Sequence, residues 1–275
     1  MNIQTKPNNY IQIAKFQKIE NFRLDTILKG NMYMSSILKG FNDPYEFSMD
    51  FSFADTVDGD ELVSALINRI KIPESNGNRF SEVISRYIRS KARISCFCYI
   101  GEIETQGEGY SKPSEGYEIS KVFLDHKHWS QYGDNHKGIC ILYNIPTNNE
   151  IITKLHKVKY VDCVPKLEKE DFCFEDGKIN TKKTIEKISD KMMSNKAKCW
   201  MSENECRLYH SEDTQDLNMT GFENFIQAII FGLDCDVESE MIKLFIKELR
   251  LKDKSIQFRK LVKDSKSFEP ELREL

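Results

Sequence analysis

Apolar positions along the chain recur every two residues in some stretches and every three to four in others, and the two rhythms are interleaved. YIQIAKF, from Tyr10 to Phe16, alternates and predicts a first strand; FRLDTILKG predicts a short helix stopped at Gly30, and NMYMS a second strand. Residues 59–72 and 80–92 predict helices, the second keeping Val83, Ile84, Tyr87 and Ile88 at helical spacing, with PESNGN between them as a loop. RISCFCYI reads as a buried strand. The run that follows, residues 101–118, is Gly, Glu and Ser with little to bury, and predicts a surface loop or lid.

EISKVFLDHKHWSQYG predicts a helix closed by Gly133, and GICILY and KVKYVDCV predict strands. Residues 165–180 are polar and irregular. An amphipathic helix is expected over 181–194, with Ile185, Ile188, Met192 and Met193 inward. KCWMSENECRLYH predicts a strand entered through a bend, AIIFG a short buried strand, residues 237–251 a helix and SIQFRKLV a last strand. Strands and helices mix without strict βαβ alternation. The pattern predicts an α+β fold with a mixed or mostly antiparallel central sheet flanked by helices. No linker or repeat divides the chain, so one domain over 1–275 is expected, with a helical insertion at 54–93.

GFNDPYEF adds a local signal. Asp43 suits a helix N-cap, Pro44 the first helical position, and Glu46 falls where a capping box needs its acid, so a helix is predicted to start here.

Net charge is −3, which argues against a bulk basic surface for nucleic acid, and the lysines of residues 187–198 read as solvated helix faces. Eight cysteines are scattered without C-x-x-C spacing; Cys96 and Cys98 share one strand face as small buried groups, and no metal site is expected. The polar start MNIQTKPNNY lacks the pattern of a signal peptide, and no apolar run approaches about 18 residues. A soluble, reduced, cytoplasmic protein without a membrane partner is therefore expected. G-x-G-x-x-G after a strand, the P-loop, H-E-x-x-H and G-x-S-x-G are all absent.

Three polar constellations remain. The first is Asn42, Asp43 and Glu46. In the second, Trp129, Tyr132, Asp134 and His136 sit at a helix end before a strand; His136 titrates near neutrality and suits acid–base work, whereas His126 and His128 make a poor metal pair. In the third, a strand over 203–209 would put Glu203, Glu205, Arg207 and Tyr209 on one face. The two carboxylates would then lie about 7 Å apart with a guanidinium next in line. Such a set can hold a ribose hydroxyl or support a developing cation, and it can equally be a wet sheet face laced with ion pairs.

Taken in order, Phe41 to Glu46, Cys96-Phe97-Cys98, Trp129 to Gly138, Val158 to Asp162 and Ala197 to Arg207 resemble five blocks of a bacterial domain family of unknown function. Those blocks are fNDPxE, an ISCFC-like strand, W-x-x-Y-x-x-x-H-x-G, VKYVD and K-x-x-W-x-x-E-x-E-x-R. The family is similar to abortive-infection and phage-defence proteins, which implies a bacterial defence or toxin role. A strand, a helix, a strand ending in M-S and a late E-x-E strand are also similar to the ADP-ribosyltransferase fold. That resemblance implies NAD as substrate. Lys15, where histidine or arginine is usual, would serve the adenosine-side ribose, and Tyr33 or Ser35 would flank nicotinamide. Glu205, assisted by Glu203, would stabilise the oxocarbenium-like transition state. A pyrophosphate would rest on the helix start at Pro44, with Asn42 and Asp43 shaping that loop.

The readings that follow are an NAD-consuming toxin or defence enzyme, a phosphoester hydrolase or nuclease with Asp43, Glu203, Glu205 and His136 around a divalent metal, and a non-enzymatic sensor or binding module. Expected partners are a nucleotide-like small molecule and a protein or nucleic-acid target or cognate antitoxin.

Overall fold

A computed structural model describes residues 9–37, 41–70, 80–104, 123–210 and 218–275. The alternating and apolar runs form the strands of a nine-stranded, mixed and mostly antiparallel sheet. Its strands are β1 (Asn9–Gln17), β3 (Ser35–Ser36), β4 (Arg93–Glu104), β5 (Ile139–Pro146), β6 (Leu155–Lys157), β11 (Glu205–His210), β13 (Ile226–Phe231), β14 (Gln257–Val262) and β15 (Glu271–Glu274). Across the sheet the order is β15-β14-β13-β5-β1-β4-β11-β6, with β3 paired to β4, and β13 and β14 are the parallel pair. Short two-stranded pairs complete the set: β2 (Asn31–Tyr33) with β12 (Asn218–Thr220), β7 (Lys159–Val161) with β10 (Asn195–Ala197), and β8 (Phe174–Glu175) with β9 (Lys178–Ile179).

The helices are α1 (Asn21–Leu28), α2 (Val57–Ile70), α3 (Phe80–Lys91), α4 (His126–Gln131), α5 (Thr181–Met193) and α6 (Glu240–Lys252). Strand alternation divides the interior. Ile13, Phe97, Ile141, Leu208 and Ile229 point to the side covered by Leu24 and Ile27 of α1 and Ile242, Phe245 and Leu249 of α6. Ala14, Cys98, Cys140, Leu142 and Ile230 point the other way, against Phe123 and Trp129. Residues 54–93 contain α2 and α3, whose Val63, Leu66, Ile84 and Ile88 share a core with Ile188, Met192 and Met193 of α5. Among the described residues no helix is long and apolar enough to cross a membrane.

One feature of the sheet positions the site. β1 pairs with β4 only as far as Ala14 opposite Cys98. β1 then continues against β5 to Gln17 opposite Ile139, while β4 continues against β11 to Arg93 opposite His210. Between those two partners the central strands part, and the sheet opens into a fork.

Several predicted elements change form. At FNDPYEF the cap forms without a helix. Asp43 Oδ1 accepts from the Tyr45 N–H at 2.9 Å, as an N-cap would, but Phe47 takes a left-handed φ of 59° and the turn ends there. The Glu46 side chain does not return to the Asp43 N–H; it is buried on Arg207 instead, a charge-assisted bond that outcompetes a capping box. KVKYVDCV splits into β6 and β7, because Val158 N–H donates to Glu205 O while Lys159 N–H donates to Ser194 O, tying the chain to different partners. The strand expected from Lys198 begins at Glu205, after a 3₁₀ turn over Lys198–Glu203 and a left-handed Asn204. In the expected loop or lid, β4 extends through Glu104, and the rest lies outside the described residues. The helix expected from EISKVFLDHKHWSQYG is interrupted at Asp125, whose side chain caps the N-terminus of α4 by accepting the Lys127 N–H.

Candidate functional site

A cavity of about 350 Å³ fills the fork between β1 and β4. Lys15 of β1, Ser35 of β3, Asn42 and Asp43 of the turn, Cys96 of β4, His128 and Tyr132 around α4, and Lys196, Glu203 and Glu205 all line it. Sequence reasoning placed Lys15, Ser35, Asn42, Asp43, Tyr132, Glu203 and Glu205 in one site, and the fork brings them together.

Lys196, Glu46, Glu203 and Glu205 form the floor, and Arg207, predicted as a binding residue, is fully buried outside the cavity lining and pairs with two of these acids. Glu205 and Arg207 lie two apart on β11 and therefore face the same way. Arg207 Nε donates to Glu205 Oε1 at 2.8 Å and its Nη2 to Glu205 Oε2 at 3.1 Å; Nη2 also reaches Glu46, and Nη1 donates to Met193 O at 2.7 Å. Lys196 Nζ donates to Glu203 at 2.6 Å and Glu205 at 2.8 Å, and lies 3.4 Å from Glu46. Tyr132 Oη donates to Glu203 Oε1 at 2.5 Å, and the Glu205 N–H donates to Tyr160 Oη at 2.8 Å. The guanidinium is fully buried and lies over the Phe47 ring. Unpaired, each of these charges would be costly to bury; here nearly every donor and acceptor is matched.

The matching decides protonation. Burial acts to raise the Glu205 carboxyl, but the charges and hydrogen bonds of Arg207 and Lys196 outweigh it and hold the group down at about 2. Burial raises Glu46 against the pull of the same two cations. Lys196 stays charged because its acidic neighbours raise its pKa against the effect of burial. Burial pushes the Tyr132 phenol up, as does its bond to Glu203, so it serves as a neutral donor.

A stability prediction follows from these opposed carboxyls. The depressed Glu205 contributes stability that is complete above its ordinary 4.5 and is lost as pH falls toward about 2. The raised Glu46 acts in reverse: its contribution is complete below 4.5 and fades as pH rises through its folded value. Urea midpoints should hold or rise slightly from neutrality to 4.5, then drop steeply, with the acid drop shallower in Glu205→Gln. An equal drop in both proteins would contradict the assigned pairing.

Above this floor some groups keep hydrogen-bonding capacity. Lys15 Nζ crosses the fork, donating to Ser95 Oγ at 2.6 Å and Cys96 O at 3.3 Å, and burial lowers its pKa to about 8. Asp43 Oδ2 is buried without a hydrogen-bond partner. Cys96 and Cys98 are poor nucleophiles: burial raises both thiols, Cys98 to about 12.

The cavity does not include every predicted residue. Trp129 is fully buried, donates from Nε1 to Phe123 O at 2.7 Å and packs edge-on against Phe16; it anchors α4. His136 stacks on the Trp129 ring, in a run of three left-handed residues, Asp134, Asn135 and His136. Its carbonyl accepts from the Asp234 N–H, and the backbone of Gly232 packs so closely on it that a Cβ there would lie 2.2 Å from the His136 oxygen. The residue secures a turn, away from the carboxylates. Tyr33 lies on β2 against Phe22, also outside the cavity lining. No helix N-terminus exists at Pro44 to receive a pyrophosphate.

Several cavity residues escaped the sequence, Lys196 and His128 among them. Lys196 falls in a lysine-rich run that reads as a solvated face, yet it is 8% exposed. Its position seven and nine residues before two acids was the available signal. His128 is one position from Trp129 and four from Tyr132, so a helix that buries the tryptophan turns the other two toward the fork.

A family model described as "Protein of unknown function (DUF2971)" matches residues 128–208. The resemblance to a family of unknown function is thus borne out over α4 to β11, the segment that carries His128, Tyr132, Lys196, Glu203, Glu205 and Arg207. Comparison with curated proteins and with solved structures returns no match.

Proposed function

We propose that the fork cavity is the active site of an NAD-consuming enzyme, which breaks the nicotinamide–ribose bond and passes ADP-ribose to water or to an acceptor. The observation that carries this reading is the convergence of Lys15, Ser35 and Glu205 on one cavity from three separate strands. The volume suits a small polar ligand. As nicotinamide leaves, positive charge grows on the ribose, and a carboxylate held ionised beside it stabilises that state more than the ground state. Asp43 Oδ2 offers an acceptor to a ribose hydroxyl, and the Lys15 amine a donor to an anion. A role as a bacterial toxin or phage-defence effector belongs to the same proposal, with depletion of cellular NAD on expression as its readout.

The metal-dependent phosphoester reading is less well supported by the geometry. Lys196 already stands among the three acids where a divalent cation would be needed, and His136 is elsewhere. Among the described residues no group of three His, Cys, Asp or Glu is placed to hold a metal ion.

The test is chromatographic release of nicotinamide from NAD by purified protein, together with labelling of macromolecules by ADP-ribose. No release, and no protection against unfolding by NAD or ADP-ribose, would contradict the proposal. Lys15 gives a second expected result. Its amine is charged below about 8, so affinity for ADP-ribose should weaken as pH rises through that value, and Lys15→Met should bind more weakly with the pH dependence gone. A pH-independent affinity in the native protein would remove Lys15 from the ligand.

A further inference from the structure

Among the described cavity residues, His128 joins Asp43 in presenting a buried proton acceptor with no hydrogen-bond partner. Its side chain is 7% exposed and lines the fork, and its Nδ1 lies 2.6 Å from Asp125 Oδ2. Asp125 is itself fixed, because its other oxygen caps α4 by accepting the Lys127 N–H at 2.8 Å. An ionised carboxylate only accepts, so Nδ1 carries the proton and Nε2 presents a lone pair. That Nε2 is buried without a hydrogen-bond partner. A buried polar atom left unmatched is costly, and in a cavity wall that cost is relieved when a ligand or attacking group occupies the space. The ring is held in place by Phe16 at 5.4 Å, which also packs edge-on against Trp129 of the same helix.

Glu203 and Glu205 are spent, and Asp43 Oδ2 is the acceptor offered to a ribose hydroxyl. Both Glu205 oxygens accept from Arg207 or Lys196, and the Glu203 oxygens accept from Tyr132 and Lys196. We infer that His128, oriented by Asp125, is the general base of this cavity and activates the water or acceptor hydroxyl that attacks the ribose. The inference rests on the NAD reading and adds the nucleophile's side of the reaction. The attacking oxygen bonds to the anomeric carbon as the carbon–nitrogen bond breaks, its electron pair returning to the ring nitrogen of nicotinamide. The proton from the attacking oxygen passes to His128 Nε2. The imidazolium so formed is paired with Asp125 and then releases the proton to solvent. His128 is thereby a catalytic residue, and Asp125 a positioning residue.

The test compares wild type with His128→Gln, His128→Ala and Asp125→Asn, each checked for native circular dichroism. His128→Gln should lower kcat by about a hundred- to ten-thousandfold with little change in KM, the ordinary range for a lost general base. Added imidazole should restore part of the activity of His128→Ala and none of that of Lys15→Met. Asp125→Asn should lower kcat less, again without a KM change. In wild type, ¹⁵N spectra of histidine should show His128 with hydrogen on Nδ1, and ADP-ribose should move its Nε2 resonance. Near-native kcat in a folded His128→Gln, or hydrogen found on Nε2, overturns the assignment. Wild type that releases no nicotinamide overturns the NAD reading and this step with it, whereas release that survives loss of His128 overturns the base alone.

Discussion

Arg207→Met should lower the free energy of unfolding by about 3–5 kcal/mol, the usual cost of breaking a buried ion pair by removing one partner. Methionine fits the space and keeps contact with Phe47, so little of the loss comes from packing. The cost arises in what remains. Glu46 and Glu205 would be left buried at 6% and 7% exposure with Lys196 as their shared cation, and Met193 O would lose its donor. The urea midpoint should fall at unchanged slope, because the same surface is still exposed on unfolding. Glu46→Met combined with Arg207→Met should recover part of the loss by removing one stranded charge. A midpoint within experimental error of wild type for the single variant would show that the network contributes nothing to the fold.

Glu205→Gln should reduce nicotinamide release by about a hundred- to a thousandfold, the range for losing one preorganised electrostatic group at a reacting centre. The substitution also has a structural consequence that must be separated from the chemical one. Every group facing the Glu205 oxygens is a donor, so a glutamine NH₂ meets Arg207 or Lys196 in either orientation. A loss of about 1–3 kcal/mol in stability is therefore expected beside the loss of rate. Rates are to be compared at a temperature where denaturant curves place both proteins in the folded state. Turnover near the wild-type rate by folded Glu205→Gln would remove this carboxylate from the reaction, and a rate loss no larger than the unfolded fraction would make its role structural.

The central strands were legible because their signal is local. The alternation in YIQIAKF and the apolar runs GICILY and AIIFG became β1, β5 and β13. Period two likewise put Glu205 and Arg207 on one face of β11. The failures arise from partners that a local pattern does not show. Glu46 has the spacing of a capping box, but Arg207, 161 residues away, claims its carboxylate, so no helix forms. Lys196 reads as a surface lysine because it falls in a lysine-rich run, and its third acid, Glu46, lies far away in sequence. His136 looks like a site histidine at a helix–strand junction, yet its backbone is committed to Asp234, and His128, two residues from the dismissed His126, took the place in the cavity. The fork itself follows from strand pairing, which the order of elements along the chain does not specify.

The proposed function requires a nucleotide to sit in the fork between β1 and β4. Crystals of the protein soaked with ADP-ribose test this directly. Density for the ligand between Lys15, Asp43 and His128, with its anomeric carbon facing Glu205, is the predicted result. An empty fork at saturating ligand, or ADP-ribose bound on another face of the molecule, would contradict it.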